Sequence, residues 1–200
     1  MPLGRAASWP VFLIMLVLLG ACSQREMINA ISSQEDRAFA QDIVEKLRAG
    51  DEAGLEPLFF PATMDQSISQ IDQARALYPR SRGRTELVGY QFHEDLSGGN
   101  TRRTTYLLFT EADGHWTRTN IQTLAFGNER QRVIGWNVSG SDEIPDDYRQ
   151  FLQAEAAVPW TRAGAGAVVL LVGGGFLWHL RRRRRQANQA SPMGQGRGTP

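Results

Sequence analysis

His93, Glu94 and Asp95 stand side by side, a base and two acids that could pass a proton. Strand alternation puts His93 and Asp95 on the face opposite Tyr90 and Phe92, so the trio also reads as a solvated strand end before a turn. His115 follows Asp113-Gly114 and reads as exposed, while His179 abuts five arginines and reads as interfacial. A metal site needs several converging ligands. The chain has one cysteine, no HxH and no HExxH, so neither a metal nor a cofactor is expected. Ser139-Gly140-Ser141 is not the GxSxG elbow of a nucleophilic serine. Gly98-Gly99 and Gly173-Gly174-Gly175 read as a hairpin turn and a membrane segment rather than phosphate loops. Asn137-Val138-Ser139 matches a glycosylation sequon. No catalytic residue is assigned. The best binding candidates are Trp116, Arg118, Asn120 and Gln122, which alternate along one strand with Phe126 on the same face. Polar groups between aromatics could line a wet cavity or a partner-facing sheet. A plain exposed sheet face is the alternative.

The elements that must position these residues fall into two halves. Ser32/Ser33 with Glu35/Asp36 open a helix whose apolar stripe is Ala38, Phe39, Ile43, Val44 and Leu47, closed by Gly50. Asp51 caps a short second helix with Leu55, Leu58 and Phe59, which Pro61 is expected to stop. Met64, Ile68, Ile71, Ala74 and Leu77 mark a third, ended at Tyr78-Pro79. Four strands follow, over 87–96, 104–110, 116–126 and 132–139. Ser97-Gly98-Gly99-Asn100, Asp113-Gly114 and Gly127-Asn128 separate them, turns close enough for antiparallel pairing. Helices first and a meandering sheet after is an α+β arrangement: N-terminal helices packed on a curved antiparallel sheet.

That order, with the segments 38–50, 90–92, 106–110, 116–123 and 134–138, resembles the nuclear-transport-factor-two-like superfamily, the cystatin-like cone of ketosteroid isomerases. It resembles most the small uncharacterised lipoprotein domains of that group. The resemblance implies a curved sheet wrapping a helix around a cavity. The fold hosts enzymes, binders and assembly subunits alike. In the isomerase branch a Tyr and acidic residues face the cavity. Tyr90 and Tyr106 match by type, and no acidic residue is read on their strand face.

The ends of the chain speak of location. Residues 1–21 have the parts of a secretory signal: Arg5, an apolar run over 10–19, then small Gly20 and Ala21. Leu19-Gly20-Ala21-Cys22 resembles the lipobox of bacterial lipoproteins. The resemblance implies cleavage before Cys22, a diacylglycerol on its thiol and an acyl chain on its amine. Ser23 follows, where that family's inner-membrane retention signal places Asp. At the other end, the uncharged segment 163–180 lies between Trp160 and the arginine block 181–185. Its length is near the lower limit for a membrane helix, and the arginines are expected to stay in the cytoplasm. A buried helix or sorting tail is the alternative.

The expected organisation is therefore a signal peptide (1–21), a linker (22–31), a periplasmic cone-fold domain (32–143), a juxtamembrane helix (144–158), a transmembrane helix (161–180) and a disordered basic tail (181–200). All 21 acidic residues fall between Glu26 and Glu155, whereas Arg5, Arg162, Arg197 and the block at 181–185 lie outside the domain. That leaves 14 basic residues of 22 against 21 acidic ones over residues 22–158, a formal charge of −7. An acidic domain argues against nucleic acid. The expected role is a non-catalytic lipoprotein of the inner membrane, a protein-binding or accessory module of an envelope complex, held to lipid through Cys22 and residues 163–180. A small-molecule binder or cavity enzyme of the ketosteroid-isomerase-like type is the alternative.

Overall fold

The computed structural model describes residues 22–95, 100–163, 178, 181 and 182. They fall into two units. One is a compact domain over residues 23–156, and the other takes in the remaining residues at both ends. The expected signal peptide, most of the expected transmembrane helix and nearly all of the expected basic tail lie outside the described residues. Among the described residues no helix is long and apolar enough to cross a membrane. Residues 157–163 are helical.

In the domain, helices α1 (Gln24–Ile31), α2 (Gln34–Ala49), α3 (Glu52–Leu55) and α4 (Pro61–Ala76) precede strands β1 (Arg84–Asp95), β2 (Thr101–Ala112), β3 (His115–Phe126) and β4 (Arg132–Ser141). Residues 146–156 of a helix that runs on to residue 163, here α5, complete it. The α+β order follows the hydrophobic pattern. The strands pair antiparallel in the order β1-β2-β3-β4.

Local chemistry explains the boundaries. Ser33 caps α2 with its hydroxyl on the Asp36 amide, and the Asp36 carboxylate reaches back to the Ser33 amide. Gly50 ends α2 at φ 69°, a left-handed position that glycine takes without strain. Pro61 does not stop the preceding helix as expected. It occupies the first turn of α4, where its missing N–H costs nothing. Asp113 and Gly114 both have positive φ, the geometry of a tight hairpin turn matching strand twist. The stretch 22–31, expected as a linker, carries α1 instead. Ser23 and Glu26 form a second capping box and Ile28 is buried in the core.

The sheet has two covered faces. Tyr90, Tyr106, Leu108, Ile121 and Trp136 face α2 and α4. Tyr78 Oη bonds Thr119 Oγ1 at 2.6 Å, and Trp136 Nε1 donates to Ser67 Oγ at 2.8 Å. Register shifts at Leu87/Gly89 and Gln122/Thr123 mark bulges, which strengthen twist and curvature. The opposite face carries α5, expected to lead away to the membrane. The ring of Tyr148 packs 5.0 Å from Phe109 and 4.9 Å from Trp116, with Phe151 beside it.

Candidate functional site

One carboxylate organises the interior. Asp36 lies at the third position of α2 because Ser33 starts the helix there, and it is only 6% exposed. β1 and β2 place Tyr90 and Tyr106 directly opposite each other, on the face that α2 covers. Tyr90 Oη donates to Asp36 Oδ2 at 3.0 Å, and Arg102 Nη2 reaches the same oxygen at 2.9 Å. Tyr106 Oη stands 3.2 Å from Asp36 Oδ1 and 2.8 Å from Gln131 Oε1. Arg102 also donates to Tyr90 Oη at 2.6 Å, so guanidinium, phenol and carboxylate form a continuous chain. Outside it, the guanidinium lies 5.6 Å from the centre of the half-exposed Phe92 ring.

The electrostatics follow from these partners. Burial opposes the charge on Asp36, but hydrogen bonds from Ser33 and Tyr90 and the Arg102 guanidinium outweigh it, holding the carboxyl below its usual value. Burial and the adjacent carboxylate push the Tyr90 and Tyr106 phenols up, so both stay protonated donors. A carboxylate with a lowered pKa and donors on both oxygens is a weak general base. What it does well is pin the start of α2 to β1 and β2.

The sequence points to Tyr90 and Tyr106 but shows no acid on their strand face. The acid comes from a helix instead. In the sequence Asp36 stands out only as a helix-start residue, and its capping role is compatible with the second one. Arg102 and Gln131 carried no sequence signal, since strand pairing and the loop before β4 bring them in.

The four β3 candidates share the face that α5 partly covers. Trp116 is half-buried under Tyr148, and Arg118 Nε donates to Asp147 Oδ2 at 2.8 Å. These two side chains therefore hold α5 on the sheet. Asn120 lies opposite Asn137 and is half-buried, while Gln122 lies opposite Gly135 and is exposed. They do not join the Asp36 cluster, which is on the other face. His93, Glu94 and Asp95 are exposed on the outer end of β1. His115 is exposed and its Nδ1 lies 2.6 Å from Asp142 Oδ1. This pair borders a groove of about 530 Å³ with Tyr78, Arg80 and Trp116, at the hairpin end of the sheet. Cys22 carries a free, exposed thiol. His179 lies outside the described residues.

No family model, curated protein or solved structure matches this chain.

Proposed function

We propose that the chain is a lipoprotein of the bacterial inner membrane, acylated at Cys22 and anchored again by residues 163–180. On this reading its acidic domain stands in the periplasm as a non-catalytic binding module of an envelope protein complex, and residues 181–200 form a cytoplasmic tail. The helices-then-meander order supports membership of the nuclear-transport-factor-two-like superfamily. The observation that carries the non-catalytic reading is the state of Asp36. Its oxygens are occupied by Ser33, Tyr90, Arg102 and Tyr106, which leaves the acid of the interior engaged in structure. Asn120 and Gln122, beyond the cover of α5, remain the candidates for a partner-facing sheet surface.

The test is native mass spectrometry of the full-length protein extracted from its own membranes in mild detergent. A co-migrating protein, lost on Asn120→Arg with Gln122→Arg while the domain stays folded, is the expected result. Trp116 and Arg118 are poor choices for this test because their loss would release α5. A complex indifferent to both arginines would refute the assignment of this face.

The second reading, a cavity binder or enzyme, draws on the Asp36–Tyr90–Tyr106 constellation, which has the residue types of an acid–base site. Against it, the full burial of Tyr106, Leu108 and Ile121 fills the interior beside that cluster. A small adduct in the same spectra, beyond the lipid on Cys22, would favour it.

A further inference from the structure

The domain begins and ends at one corner. The backbone N–H of Arg25, in the first turn of α1, donates to Glu155 Oε1 near the end of α5 at 2.9 Å, across 130 residues of sequence. The Arg25 guanidinium lies 5.6 Å from the centre of the Phe151 ring and bonds Glu86 of β1 at 2.8 Å. Tyr148 of α5 reaches the other oxygen of that carboxylate at 3.0 Å. Glu86 thus ties both ends of the domain to the β1 edge. β4 forms the opposite edge of the sheet.

The fold also starts without slack. Ser23 is buried and caps α1, so only one peptide bond separates the folded domain from Cys22. One residue spans at most about 3.6 Å. Met27 and Ile31 lie one turn apart on α1 and are 56% and 48% exposed, while Ile28 between them points into the core. Leu152, one turn before Glu155 on α5, is 38% exposed. Single exposed aliphatics are ordinary on a protein surface. Met27 and Leu152 each lie within one turn of the Arg25–Glu155 contact, and Ile31 follows one turn further along α1.

We infer that this corner is a membrane-docking surface, with α1 lying along the lipid headgroups and Met27 and Ile31 entering the acyl boundary. The inference rests on the anchoring reading above and deepens it. A chain tethered by its first residue and by the segment after α5 must turn the corner where those two meet toward the bilayer. The β4 edge, with Asn137 and Ser139 exposed, then faces away. Amphipathic helices bind in this way, by burying an apolar face at the headgroup level.

The test uses the full-length protein in phosphatidylethanolamine/phosphatidylglycerol vesicles, with spin labels on Met27→Cys, Ile31→Cys, Asn137→Cys and Ser139→Cys variants, and the unsubstituted chain labelled in parallel so that any signal from an unacylated Cys22 is subtracted. All four positions are exposed or strand-edge sites, so the fold survives. Collisions with oxygen and with a water-soluble nickel chelate are measured, and Cys22 acylation is read by mass. Labels at Met27 and Ile31 are expected to favour oxygen several-fold over those at Asn137 and Ser139. Equal, water-like accessibility at all four overturns the docking. Acylated Cys22 with water-exposed Met27 refutes the docking alone. Lipid-exposed Met27 with unacylated Cys22 keeps the docking and refutes the lipidation.

Discussion

Replacing Asp36 by Asn keeps the size and removes the charge at the centre of the interior network. The amide offers one acceptor oxygen where the carboxylate offers two, and its NH₂ faces groups that are themselves donors, Tyr90, Arg102 and Tyr106. Breaking a buried ion pair costs about 3–5 kcal/mol. Arg102 keeps 38% of its side chain in solvent, which screens the pair and lets water take over part of its bonding. The expected loss is about 2–3 kcal/mol at pH 7. It also has a pH signature. The folded-state pKa of Asp36 is depressed, so its stabilisation is present above the unfolded value, about 3.9, and disappears as pH falls through the lower folded value. Urea unfolding of residues 23–156, followed by Trp116 and Trp136 fluorescence at pH 7, 5, 4 and 3, measures both effects. The gap between wild type and Asp36→Asn should be full at pH 7 and 5 and should narrow below pH 4. A gap under about 1 kcal/mol at pH 7, or one that stays constant down to pH 3, would refute the role assigned to this carboxylate.

Tyr106→Phe removes bonds to Asp36 and Gln131 and should cost about 1–2 kcal/mol by the same assay. Because the folded Tyr106 phenol is held above its usual pKa of 10.0, it supports the fold below about pH 10 and loses that contribution as pH rises further. The variant should therefore unfold less steeply in base. Tyr148→Ala deletes the ring between Phe109, Trp116 and Phe151 and should cost about 3–5 kcal/mol or release α5. Amide exchange confined to residues 146–156 would distinguish release from global loss, and unchanged protection there would contradict the packing. Gly83→Ala places a methyl group 2.1 Å from the Glu111 carbonyl oxygen, closer than any relaxed contact allows. It should cost about 1–3 kcal/mol and loosen the start of β1, whereas a neutral thermal melt would show that the strands separate there freely.

Much of the domain was legible because its signals are local. Ser33 and Asp36 announced α2, and Gly50 its end. Asp113-Gly114 fixed the β2–β3 hairpin through backbone conformations that few residues adopt. The alternation along β3 correctly put Trp116, Arg118, Asn120 and Gln122 on one face. Pro61 was ambiguous for a physical reason: the ring that ends one helix is equally suited to open the next. The helix in 24–31 was hidden by its shortness, since its stability comes from Ile28 packing and the Arg25 contacts with Glu86 and Glu155, none of them local in sequence.

The amino-acid order alone thus determined α2, α3, α4, the strands and their antiparallel order, because periodicity and turn chemistry act over a few residues. Only the tertiary structure decided that the acid facing Tyr90 and Tyr106 comes from α2, through contacts spanning 54 and 70 residues. It also decided that α5 turns back onto the sheet, taking Trp116 and Arg118 out of the open surface and bringing Glu155 to Arg25. Such meetings depend on which faces are left to bury once each element has formed, and no local pattern encodes that.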